Sequence, residues 1–221
     1  MADIFTLQDD IAGQVVSSLK LLLSSDSRRV LERELDIDTR AYDYYLQGRA
    51  YLRRPPSQSG LGVAVQMFSR ALDLEPDFAG GHAGLCDAEL ALYHITRSAD
   101  DYTPAESACQ QALDLDAAAA PVHIALGNLY RQSGEYQDSL AQFDQALELD
   151  ADAVAAWLGK AETFARQGRD ALAEETYRRA IALQPNYWSA YTGMGSFLFS
   201  RGRAADAIPY YKRICELMPD S

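Results

Sequence analysis

The sequence predicts an all-α chain built as a stack of helix pairs, and three observations predict it. Gly134, Gly168 and Gly202 recur at intervals of 34 residues, and Phe143, Tyr177 and Tyr211 keep the same step, as do Ser139, Ala173 and Ala207, and Ala146, Ala180 and Ile214. Apolar residues follow helical spacing on both sides of each glycine. A polar or Pro-bearing break such as Gln184-Pro185-Asn186 closes the unit. One unit is therefore a helix hairpin, and burial is spread over neighbouring units instead of one central core.

In chain order, Leu7, Ile11, Val15, Leu19 and Leu22 or Leu23 form the stripe of an amphipathic helix over residues 3–23, with Asp9, Asp10, Gln14 and Lys20 off it. Its expected role is a cap on the stack, with a dimerising or interdomain helix as the alternative. Ser24-Ser25-Asp26-Ser27 breaks it, and residues 28–35 form a short second helical piece. Asp36-Ile37-Asp38-Thr39 then offers N-cap residues for a helix over residues 40–54. Residues 1–38 are thus a helical cap or linker, and residues 39–221 a repeat domain of about five units, at 41–78, 79–119, 120–153, 154–187 and 188–221.

The first unit carries Tyr44, Gly48 and Tyr51, then Ala64, Phe68, Ala71 and Pro76. Its step from Gly48 to Ala64 is four residues longer than in the later units, which places the excess in the turn at residues 53–60. The second unit carries Leu85, Cys86, Ala105, Cys109 and Ala112, and its step from Cys86 to Ala105 is seven residues too long. Two extra helical turns, or a loop, are expected around residues 96–103.

With Ala120, Val154 and Trp188 as first positions, the last three units place His123, Trp157 and Tyr191 fourth and Gly127, Ala161 and Gly195 eighth. Ala151, Pro185 and Pro219 come thirty-second. This pattern resembles the tetratricopeptide repeat. The resemblance implies an all-α, right-handed superhelical solenoid of helix-turn-helix repeats, whose small residues allow close helix crossing. Bulk at such a crossing overpacks it at about 1–3 kcal/mol. Ile214 departs from the small pattern.

The same resemblance implies a concave groove lined by positions 2, 5, 9, 12 and 13 of each first helix, which share one helix face. These are Pro121, Ile124, Asn128, Arg131 and Gln132, then Ala155, Leu158, Glu162, Ala165 and Arg166, then Ser189, Thr192, Ser196, Phe199 and Ser200. The expected binding set is Ile124, Asn128, Arg131, Leu158, Glu162, Arg166, Thr192, Ser196 and Phe199. It joins apolar anchors to arginines able to fork onto a carboxylate. Packing of this floor on the chain's own N-terminal helix, or on a second copy, is the alternative. Family members that hold a chaperone's C-terminal carboxylate carry Lys at position 5 and Asn at position 9. Asn128 fits, but Ile124 replaces the Lys and the next repeat has Leu158 and Glu162, so a chaperone tail is not the expected ligand.

Two further runs, Phe5-Thr6-Leu7-Gln8-Asp9-Asp10-Ile11-Ala12 and Ala41-Tyr42-Asp43-Tyr44-Tyr45-Leu46-Gln47-Gly48-Arg49, are similar to the linker and first repeat of bacterial signalling proteins. In those a class III nucleotide cyclase, a Ser/Thr kinase or a winged-helix regulator precedes the repeats. This implies that the chain is a piece of something larger. The alternative function is then a sensory, regulatory or oligomerising domain of a signalling enzyme or transcription regulator. The end near Met218 falls where a further repeat would begin, so an apolar face at Tyr210, Ile214 and Met218 is expected to be open to a homodimer.

A net charge of −12 and a pI near 4.6 argue against a nucleic-acid partner, including the RNA readers of similar period, because phosphate binding needs clustered Lys and Arg. The sequence has no run of about 18 apolar residues and no basic, apolar leader, so a soluble and by default cytoplasmic chain is expected. Cys86, Cys109 and Cys215 have no metal-type spacing. Buried free thiols are expected in preference to a disulfide, although Cys86 and Cys109 fall in the two helices of one unit.

No acid, base and nucleophile set converges, so no catalysis, cofactor or metal is expected. His82 and His123 hold the fourth, core position, and His94 lacks a partner at zinc spacing. Gly80-Gly81, Gly193 and Gly195 lie inside helical positions with no phosphate-loop lysine after them. Asp144, Glu148, Glu174 and Glu175 belong to a solvated outer face. The function expected is a non-catalytic protein–protein interaction module that binds a peptide or protein segment in the groove.

Overall fold

The computed structural model describes residues 37–97 and 99–218. The amphipathic stripe, the short second piece and the run at residues 5–12 lie outside the described residues, as does Pro219.

Among the described residues there are ten helices and no strand. They are α1 (Thr39–Leu52), α2 (Gln58–Leu74), α3 (Ala79–Thr96), α4 (Ala99–Leu115), α5 (Ala120–Ser133), α6 (Tyr136–Leu149), α7 (Val154–Arg166), α8 (Asp170–Leu183), α9 (Trp188–Ser200) and α10 (Ala204–Leu217). Consecutive helices form hairpins. The first helices α3, α5, α7 and α9 also pack on one another, and among the described residues the second helices make no comparable contact with each other. The layer whose members touch is the inner one, so the first helices line the concave side.

The surplus residues of the first two units are accommodated differently. Pro55 and Pro56 cannot continue a helix and open a loop after α1. Ser57 then caps α2, its Oγ accepting from the Gly60 N–H at 3.1 Å. In the second unit the excess becomes helix: α3 and α4 have 18 and 17 residues, against 14 each in α5 and α6.

The glycine period has a backbone cause. Helices α5, α7 and α9 close through Gly134, Gly168 and Gly202 at φ 88°, 72° and 75°, where a β-carbon is strained. The next N–H then donates back five residues, from Glu135 to Tyr130 at 2.9 Å, Arg169 to Phe164 at 2.9 Å and Arg203 to Leu198 at 3.0 Å. Helix α3 closes differently, through Arg97 at φ 57°, whose N–H reaches the Tyr93 carbonyl at 2.8 Å.

Rings packed on bare backbone make the core. Phe143, fully buried, lies between α5 and α7: a β-carbon on Gly127 would come within 2.6 Å of its ring and one on Gly159 within 2.2 Å. Phe68 is held likewise between Gly48 and Gly84, and Tyr177 lies against Gly193. In the second unit the corresponding two positions are Cys109 and Cys86, joined as a disulfide with Cα atoms 5.3 Å apart. The expected pair of free thiols is thereby corrected, for the two positions meet in every hairpin and here both carry sulfur. Cys215 is free and exposed.

The fourth position also has one structural job. His82 reaches the Pro76 carbonyl at 2.8 Å, His123 that of Ala117 at 2.9 Å, Trp157 that of Ala151 at 2.9 Å and Tyr191 that of Pro185 at 2.8 Å. Each ties a first helix to the loop before it. Because a carbonyl only accepts, Nε2 of each histidine is the donor in these two bonds.

The array curls until its first and fifth units touch: Trp188 Nε1–H donates to the Arg53 carbonyl at 3.0 Å. No helix of the described residues is long and apolar enough to cross a membrane.

Candidate binding groove

Position 9 of each first helix faces the concave side, and in order these residues are Arg49, Asp87, Asn128, Glu162 and Ser196. Three helices are joined along this line. Asn128 Nδ2 donates to Asp87 Oδ1 at 2.8 Å. Arg131, one turn beyond Asn128 on α5, donates to Asn128 Oδ1 at 3.1 Å and pairs through its other terminal nitrogen with Glu162 of α7. Burial pushes the Asp87 carboxyl up, and the Asn128 amide, Arg49 and Arg131 pull it back only in part. On α1, Arg49 donates to the Tyr45 hydroxyl at 2.7 Å.

The structure thus brings Asn128, Arg131 and Glu162 together. It leaves Arg166, Ser196 and Phe199 open, Phe199 being 64% exposed. Thr192 is half-buried, its hydroxyl donating within α9 to the Trp188 carbonyl at 3.2 Å. The two other apolar residues are not open anchors. Leu158 is 8% exposed and packs in the core with Leu140, Ala161 and Phe164, and Ile124 packs against the Phe143 cluster.

Residues outside the expected set fall on groove positions of the first two units. Tyr42, Tyr45, Leu46, Arg49, Ala50 and Arg53 line a cavity of about 400 Å³ on α1. Counting positions 5, 9 and 13 from Ala41 finds Tyr45, Arg49 and Arg53, and counting from Ala79 finds Asp87, so the repeat register could have found them. His94 lies two turns beyond Asp87. Burial lowers its pKa from the ordinary imidazole value, helped by Arg97, Arg166 and Arg131 and opposed by Glu162.

At the other end, Tyr210 packs near the Tyr191 ring at 6.5 Å, and Ile214 and Met218 are half-buried. The open apolar side chains of α10 are Ile208 and Tyr211, 52% and 38% exposed. Among the described residues no three His, Cys, Asp or Glu side chains are grouped so as to hold a metal ion.

The tetratricopeptide repeat family model matches residues 124–187 and 172–221. Over 127 residues the chain is 27% identical to a protein of Rhizobium meliloti (strain 1021) named as an adenylate cyclase, a match covering 56% of this chain and 21% of that protein. The chain therefore spans about a fifth of that relative's length. Three solved structures share the fold. The thermophilic TPR protein TTC0263 of Thermus thermophilus is 23% identical with a TM-score of 0.58, covering 84% of this chain and 98% of that one. PilW, described as a widely conserved type IV pilus biogenesis factor, is 21% identical with a TM-score of 0.57, covering 83% and 80%. PilF of Pseudomonas aeruginosa is 19% identical with a TM-score of 0.54, covering 80% and 75%. At these identities the likeness speaks to the fold, an all-α helical repeat solenoid.

Proposed function

We propose that the chain, which the tetratricopeptide repeat family model matches over residues 124–187 and 172–221, is an interaction module that holds a peptide or protein segment in the concave groove of its first helices. The observation that carries this reading is the polar line Asp87–Asn128–Arg131–Glu162, which is already hydrogen-bonded across three helices. A surface fixed in advance loses little side-chain freedom when a ligand arrives. Phe199, at the position on α9 that Arg131 holds on α5, supplies an exposed apolar contact, and the line offers polar groups to an extended or helical segment. No chemical step is assigned to these residues; their work is recognition.

The test is retention of proteins from a lysate of the source cells by the immobilised chain and by a Phe199→Glu variant, whose site is exposed and so leaves the core intact. A circular dichroism melt checks the variant's fold. A protein retained by the wild type and lost by the folded variant supports the groove; equal retention by both sinks it.

A further inference from the structure

We propose that the rim of the groove beside the end of α3 is an anion subsite, in which Arg97 and Arg166, flanked by His94 and by the Glu162-paired Arg131, receive acidic side chains of the bound peptide. The inference rests on the groove reading and adds the chemistry of the occupant.

Placement comes first. Asp87, Asn128 and Glu162 mark one level on α3, α5 and α7. One or two turns further along the same helix faces stand His94, Arg131 and Arg166. Helix α3 ends just beyond His94, at Arg97. Three neighbouring helices therefore each raise a cationic or protonatable group at the same edge. Burial first, and then Arg97, Arg166 and Arg131, oppose protonation of His94 while Glu162 favours it, in keeping with that shared edge.

Charge balance comes second. Arg131 is matched by Glu162, while Arg166 and Arg97 are exposed and their side chains have no hydrogen-bonding or ion-pair partner among the described residues. A chain of net charge −12 thus keeps a local cationic excess on its concave side.

The third observation is independent of both. Three first helices end on glycine in the left-handed region, and the extended second one ends there on Arg97, at φ 57°. A β-carbon in that conformation is unfavourable, and glycine would relieve it. The unit therefore keeps an arginine where its backbone favours glycine. Strain retained at an exposed charge points to use of the side chain.

The occupant is an acidic peptide. The overall negative charge repels a long polyanion such as RNA. A peptide with a few carboxylates can present them to the rim and place an apolar residue on Phe199.

The experiment is fluorescence anisotropy at low salt with labelled octaglutamate, octaglutamine and octathymidylate. Octaglutamate should bind the wild-type chain and octaglutamine should bind at least about tenfold more weakly. Arg97→Gly should weaken octaglutamate about two- to fivefold, as expected for one exposed charge pair. Adding Arg166→Gln should bring the loss to about tenfold, since separated charges add. Arg97→Gly eases the backbone, so its loss of binding cannot come from unfolding. The inference is overturned if octaglutamate does not bind, if the variants bind it as the wild type does, or if octathymidylate binds as tightly. Failure of the groove reading looks different: lysate retention is then insensitive to Phe199→Glu. A retained protein lost on Phe199→Glu but not on Arg97→Gly, Arg166→Gln leaves the groove standing and removes the subsite.

Discussion

Phe143 cannot step aside, because Gly127 holds it from α5 and Gly159 from α7. A methyl on Gly159 gains up to about 1 kcal/mol of helix propensity. Overpacking a pinned ring costs about 1–3 kcal/mol. Gly159→Ala should therefore lower the thermal midpoint, whereas Gly62→Ala in α2, with nothing within 4 Å, should raise it. A calorimetric scan of the pair checks both signs. The titrating residues give a second test. His94 has a lowered pKa, so the unfolded chain binds its proton first and stability falls as pH drops from the ordinary value of 6.5 toward the lower folded value. Asp87 has a raised pKa, so its ionisation costs stability as pH rises from the ordinary 3.8 toward the higher folded value. NMR titration should find His94 below 6.5, and His94→Gln should flatten the loss on the acid side. At this scale the register was a good guide to Asn128, Arg131 and Glu162, which meet because equal positions on stacked helices share a face. Leu158 misled it, because position 5 borders both groove and core, and the following hairpin decides which side claims it.

Helices α3 and α4 are where an element departs from its siblings. Their closest approach is bridged by Cys86 and Cys109 in place of the ring-on-glycine contact, over a sequence separation of 23 residues. A loop of that size restrains the unfolded chain by about 3 kcal/mol. The Cys86→Ser, Cys109→Ser double variant should lose about that much in denaturant unfolding under oxidising conditions, and the gap should close when a reductant is present. Both sulfurs belong to fully buried residues, so reduction should wait on local opening of the hairpin. The helices were legible in the sequence because their apolar period and glycine stops repeat. The disulfide was not, because an argument from cysteine number outweighed the register, which already set positions 8 and 24 against each other. Where surplus residues would go was half legible: two consecutive prolines force a loop after α1, but nothing in residues 96–103 distinguishes a loop from further helix.

Across the whole molecule, repeat arrays draw stability from neighbours alone, so their ends are normally independent. Here the Trp188 indole reaches the Arg53 carbonyl, and the first and fifth units are coupled directly. Trp188→Phe keeps the apolar bulk and removes the donor. One exposed hydrogen bond contributes about 0.5–1.5 kcal/mol, so the melting point should barely change while the radius of gyration in X-ray scattering rises. An unchanged radius would mean that the curl is set by the helix crossings alone. This closure was not legible in the sequence, because curvature accumulates from small rotations at each hairpin that no single residue encodes.

The same bond has a kinetic consequence. A single exposed hydrogen bond opens and closes with side-chain motion, far faster than a partner docks, so on the proposed groove reading capture should stay in the usual range of about 10⁵–10⁷ M⁻¹s⁻¹. On the same proposed reading, a guest that touches both ends would bridge the first and fifth units, and differences between partners should then lie mainly in how slowly they leave.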